Sequence, residues 1–284
     1  MTKASLMTLV DYRDRASVMV WVALFGLAAQ RLLMQSLDAL PGLTFSGMVL
    51  GSPVTIPLTG GTLLALALAA LVGTGTEAVV RAHPRSQAGE IGHRWVFWGL
   101  PIAEIFVAML LLPLAPSQLY WLAGLVITGI LLGLSLAGIY YTADPFATGY
   151  RRARLGLNTL TYGVALLLFL VVYRTRVRSI ISASEVLVVS SLLALELLRG
   201  SERPIHLVTL YAGIAGLVLG EATWALNYWR LGSLSGGLLL LLLFYDVVGL
   251  AQHAIQGRLN RRVLVEFLLI SIATLALIVE YAPR

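Results

Sequence analysis

Residues 119–141 read LYWLAGLVITGILLGLSLAGIYY, a run without a charged side chain that begins and ends in aromatic rings. A helix rises about 1.5 Å per residue, so about 20 mostly apolar residues cross a bilayer. This segment is long enough. Tyr120, Trp121, Tyr140 and Tyr141 also stand where amphipathic rings anchor a span at the two interfaces. Working outward, comparable segments recur at 17–37, 57–80, 96–114, 157–173, 179–198, 206–228, 234–252 and 263–280. The reading is an all-α polytopic membrane bundle of nine transmembrane helices. A cytoplasmic lead-in covers 1–16 and a single transmembrane domain covers 17–284.

Composition points the same way. The chain has 284 residues, 58% of them hydrophobic and only 12% charged, whereas a soluble domain is about a quarter charged. There is no cysteine, which removes disulfides, thiol nucleophiles and thiolate metal sites. The only lysine, Lys3, lies outside every expected span, so a retinal Schiff base is excluded. The opening MTKASLMTLVDYRDRASVM is too polar for a secretory signal.

The net charge of +6 would suggest nucleic acid in a soluble protein. Here it reports orientation. With the N-terminus inside, 14 of the 20 basic residues fall on inner segments and five on outer ones, with Arg31 inside the first span. Positive-inside counting then predicts N-in and C-out. Arg174, Arg176 and Arg178 run against this count. They read either as a short turn touching lipid phosphates or as an outward anion or headgroup site. Segment 38–56, rich in Gly and Pro, is too broken for a span and is expected as an extended or re-entrant cap at the outer surface.

Ionisable groups at membrane depth are expensive and mark something by default. Arg31, Glu104, Glu185, Glu221 and Asp246 are the internal ones. Glu77, Glu196, Glu266 and Glu280 stand near span ends, from which they are expected to reach headgroups. Helical rise puts Arg31, Glu185 and Glu221 in one outer layer, so an ion pair of Arg31 with Glu185 or Glu221 is expected. Such a pair either specifies which helices meet or borders a polar cavity. Glu104, Glu221, Trp224, Asn227 and Asp246 are then candidates for a ligand or proton pathway. Glu221, Trp224 and Tyr228 share one helix face, flanked by Asn227.

Small residues recur every fourth position in Ala65/Ala69/Gly73, Gly129/Gly133/Ala137 and Ala212/Gly216/Gly220. These flat stripes let helix backbones approach, within the chain or at a dimer seam. His83, His93, His206 and His253 all fall at inner span ends, where polar side chains are common, so no metal site is read from them. The chain has no H-E-x-x-H, G-x-S-x-G or Walker A motif. Asp11-x-x-Asp14 stands alone and reads as part of an amphipathic lead-in helix. No catalytic residue is assigned, and the cofactor question stays open.

Two stretches carry a resemblance. One is Gly75-Thr76-Glu77-Ala78-Val79-Val80-Arg81-Ala82-His83-Pro84. The other is Gly220-Glu221-Ala222-Thr223-Trp224-Ala225-Leu226-Asn227-Tyr228-Trp229, followed by Leu241–Gly249 with Phe244-Tyr245. Together they resemble a family of uncharacterised bacterial multi-pass membrane proteins, a domain of unknown function. The resemblance implies the bacterial cytoplasmic membrane and brings no established activity. It makes Arg81-x-His83-Pro84 and Glu221-x-x-Trp224 the positions to test first. The leading expectation is an accessory or scaffold subunit of a membrane complex. The alternatives are a proton- or cation-coupled transporter and a lipid-acting enzyme. The expected partners are the bilayer and other membrane subunits or a second copy, not nucleic acid.

Overall fold

The computed structural model describes residues 3–38, 43–49, 52–175, 179–201, 204–228 and 232–281. The helices are α1 (Lys3–Asp38), α2 (Gly60–Arg81), the short α3 (Pro84–Gln87), α4 (Gly99–Leu111), α5 (Gln118–Thr142), α6 (Tyr150–Thr175), α7 (Ser179–Leu198), α8 (Ile205–Asn227), α9 (Ser233–Ile255) and α10 (Arg261–Tyr281). Tight 3-10 turns at Arg94–Trp98 and Leu112–Leu114 extend α4 at both ends, and another at Arg199–Ser201 follows α7. Among the described residues, seven helices are long and apolar enough to cross a membrane: α2, α4 with its 3-10 extensions, and α5 to α9. The first and last expected spans, 17–37 and 263–280, fall within α1 and α10, which are not among those seven.

Local chemistry sets the boundaries. The Thr59 hydroxyl accepts from the Thr62 amide at 3.3 Å and caps α2, and Ser117 does the same for α5. Gly89 (φ 77°) and Gly257 (φ 68°) take left-handed turns beyond α3 and α9 that a side chain would strain.

One segment departs from the expectation of an all-α chain. Leu43–Val49 (β1) and Ser52–Leu58 (β2) form an antiparallel hairpin, with Leu43 opposite Leu58 and Val49 opposite Ser52. The sequence expectation there is an extended or re-entrant cap, because Gly and Pro break the segment. Pro53 stands opposite Met48 and Pro57 opposite Thr44 in its register. In a two-stranded hairpin every strand has an open edge, where a missing N–H costs no ladder bond.

The interior divides into two apolar clusters that meet on α4. Leu100, Ala103 and Val107 face a core built with α6 to α9. Ile105, Ala108 and Leu112 face a second core with α1, α2 and α5. The tightest seam joins α7 to α8. Ala212, Gly216 and Gly220 are buried along it. A Cβ on Gly216 would collide with the Leu187 carbonyl and the Ser191 hydroxyl, and one on Gly220 would lie 3.1 Å from the Ala183 carbonyl. This stripe therefore serves packing within the chain. The α5 stripe is more open: Gly129 meets Leu24 of α1, and nothing lies within 4 Å of a Cβ on Gly133.

Gly216→Ala should lower stability by roughly 1–3 kcal/mol, the usual cost of overpacking a close contact. Gly213→Ala, one turn earlier with nothing within 4 Å of its Cβ, should be neutral or slightly stabilising. Thermal unfolding of both variants in detergent checks the contrast. Equal losses would mean that the close approach of α7 and α8 is not what the stripe provides.

Candidate functional site

The residues expected to form a pathway lie apart. Glu104 is buried on α4 and accepts from the Ser135 hydroxyl of α5 at 2.5 Å. Its second oxygen, Oε2, has no partner and borders a cavity of about 210 Å³ lined by α4, α5 and α6. Asp246 on α9 accepts from Ser271 of α10 at 2.6 Å, which ties the last helix to the bundle. Glu221 on α8 is exposed, with no partner among the described residues. The Trp224 indole donates to the Tyr228 hydroxyl at 3.4 Å, and the Asn227 side-chain nitrogen is buried without a partner. The cavity beside Glu104 reaches neither Glu221 nor Asp246.

The expected ion pair of Arg31 with Glu185 or Glu221 does not form among the described residues. α1 packs on α2 and α5, whereas Glu185 and Glu221 lie on α7 and α8. Arg31 instead places its guanidinium 4.8 Å from the Trp121 ring centroid, a cation–π contact. The two acids lie on neighbouring helices, α7 and α8. Gly220 opposes Ala183 and Leu187, which sets Glu221 level with the half-buried Glu185. Of the three arginines at 174–178, Arg174 is exposed at the end of α6, while Arg176 and Arg178 lie outside the described residues.

Glu196 corrects a second expectation. It does not reach headgroups: its side chain is 0% exposed and bridges two arginines. Arg199 Nε lies 2.7 Å from Oε2, and Arg154 Nη1 lies 3.3 Å from Oε1. Arg154 Nη2 also donates to the carbonyls of Glu196 (2.9 Å) and Leu197 (2.7 Å) at the end of α7. Arg199 Nη2 donates to Thr142 of α5 at 3.1 Å, and its guanidinium stacks over Phe97 at 4.5 Å. Gln252 of α9 donates to the Leu197 carbonyl at 3.3 Å. The two arginines and the end of α7 thus connect α5, α6, α7, α9 and the turn before α4. The Glu196/Arg199 spacing of three residues on one helical stretch was the available signal. Arg154 and Arg199 are two of the 14 basic residues of the inner count.

Above this cluster lies a polar cavity of about 330 Å³, whose wall includes Arg85, His93, Thr142, Tyr150 and Arg199. Arg85 pairs with Glu90 at 2.6 Å and Asp144 at 3.5 Å. Arg94 donates to the Ser86 hydroxyl at 3.0 Å. Beside it, His83 opens α3: its Nδ1 accepts from the Arg85 amide at 3.3 Å, and its ring meets Tyr140, which stacks on Tyr12. The four histidines do not converge. His83 caps, His93 lines the cavity, His206 is exposed, and His253 Nδ1 donates to the Gly249 carbonyl at 2.9 Å. Among the described residues no group of His, Asp and Glu could hold a metal ion. The arrangement gathers buried charge at one end of the bundle.

Breaking the bridge should be costly. Glu196→Gln leaves two buried guanidiniums facing a neutral amide, an expected loss of about 3–5 kcal/mol, read as a fall in thermal midpoint. A midpoint within the range of surface variants would contradict this.

His83 makes a pH prediction. Burial lowers its pKa from the usual 6.5, the Asp144 carboxylate opposes the shift and the Arg85 guanidinium adds to it. A group depressed in the folded state contributes stability that is present above its unfolded pKa and lost as pH falls through its folded value. His83→Asn keeps a capping oxygen without a titrating ring. Its melting temperature should therefore fall less than that of the parent between about pH 7 and about pH 5. Parallel curves would remove His83 from the pH response.

No curated protein and no solved structure matches the chain. A family model does match, over residues 40–281, from the segment before the hairpin to the end of α10. The chain therefore belongs to the family described as Protein of unknown function (DUF5656).

Proposed function

We propose that the chain is an accessory or scaffold subunit of a larger membrane complex. In this reading it crosses the bacterial cytoplasmic membrane nine times, N-terminus inside and C-terminus outside, with α1 and α10 as the first and last spans. The inner basic residues support the orientation, and the polar end around Glu196 supports placing that end at a headgroup layer.

The observation that carries the reading is the outer face of α8. Leu210, Ile214, Leu217, Glu221, Trp224 and Tyr228 are all exposed, at alternating spacings of four and three residues. Such spacing forms a seam for a second helix. Lipid would cover the leucines and the isoleucine, but it does not satisfy an unpaired carboxylate about two turns from the end of a span. A neighbouring membrane helix with a donor or cation at that depth does. Arg31, exposed on α1, has the complementary charge for a second copy of the chain.

The absence of cysteine makes the test direct. Leu217→Cys, cross-linked in native membranes with a short bifunctional maleimide, should give an adduct heavier than the 30.6 kDa chain. A self-adduct identifies a second copy, and a different mass identifies another subunit. A protein that gives no adduct and runs alone in mild detergent counts against the proposal.

A proton- or cation-coupled path is the second reading. It is favoured by Glu104 Oε2, unpartnered beside its cavity, and weakened by the separation of Glu104, Glu221 and Asp246 on three helices.

A further inference from the structure

At the Glu196 cluster two guanidiniums share one carboxylate. The side chains of Arg154 and Arg199 are 13% and 7% exposed, and that of Glu196 is 0% exposed. Arg154 is compensated twice over, by Glu196 and by the last carbonyls of α7, where the helix dipole carries about half a negative charge. Arg199 is not. Its Nε serves Glu196 and its Nη2 serves Thr142, and no described residue accepts from Nη1. A guanidinium always carries its charge and five donors, and a buried cation in excess is unfavourable until an anion faces it.

Arg199 borders the 330 Å³ cavity together with Arg85, His93 and Tyr150. That volume lies in the range of small-ligand pockets. Glu90, the acid among the described lining residues, and the nearby Asp144 both pair with Arg85, at 2.6 and 3.5 Å, and neither forms an ion pair with Arg199. Gly92 also lines the wall, with nothing within 4 Å of a Cβ there. We propose that this cavity binds a phosphate-type oxyanion, either a free phosphate or the phosphate of a lipid headgroup, with Arg199 as its principal contact. The planar fork of a guanidinium matches two oxygens of such a group, and His93 and Tyr150, which also line the cavity, offer further donors.

The purified full chain in neutral detergent tests this by thermal unfolding. Inorganic phosphate is compared with chloride at equal ionic strength, and short-chain phosphatidic acid with short-chain diacylglycerol. A rise of several degrees with inorganic phosphate identifies a free oxyanion site. A rise with phosphatidic acid alone identifies a headgroup site. Arg199→Gln leaves Arg154 and Glu196 as a balanced pair, so it should fold and lose the rise. Gly92→Leu should also lose it by filling the cavity while Arg199 stays in place. Neither anion stabilising the parent chain, or an equal rise in both variants, overturns the proposal. An equal rise would be general salt stabilisation.

Discussion

Glu196 lies where water does not reach, and Arg154 and Arg199 meet on it from two directions. Charge is the scarce ingredient of this chain, so where charges meet decides where helices meet. Attraction between opposite charges grows as the effective dielectric falls, and so does the cost of leaving one unpaired. The cluster draws together the end of α7, the start of α6, the end of α5 through Thr142, the turn before α4 through Phe97 and α9 through Gln252. The apolar cores set how tightly the helices pack. The ionic junction sets which ends converge, and it creates the polar cavity above it.

Other ionisable groups obey the same constraint with different solutions. Glu104 and Asp246 each take a serine hydroxyl from a neighbouring helix. Arg31 lies over an indole ring. Glu221 has no such partner among the described residues and is exposed, and the proposed neighbouring helix would supply one. The polar end and the α8 seam are thus two consequences of one rule: at low dielectric a charge is compensated inside the chain or by what binds to it.

The helices were legible because a long apolar run has few alternatives in this composition. The run at 119–141 becomes Gln118–Thr142, and the run at 206–228 becomes Ile205–Asn227. The hairpin was not legible, because Gly and Pro report a broken helix without reporting which strands pair. The Arg31 pair failed because rise along a helix gives depth and says nothing about neighbours. Glu196 was misplaced because nearness to a span end suggested exposure. In the fold that end is covered by the Arg94–Trp98 and Arg199–Ser201 turns, which sequence alone does not position. Its arginine partners were visible and read as orientation charge.

One carboxylate serves two buried guanidiniums, and the proposed oxyanion site requires the second to be in excess. A double-mutant cycle reads this directly. Glu196→Gln should destabilise the parent chain far more than it destabilises the Arg199→Gln background, because the second substitution removes the excess cation. The coupling should lie between about 0.5 and about 3 kcal/mol, the range for residues in one ionic network. Additive losses would contradict it.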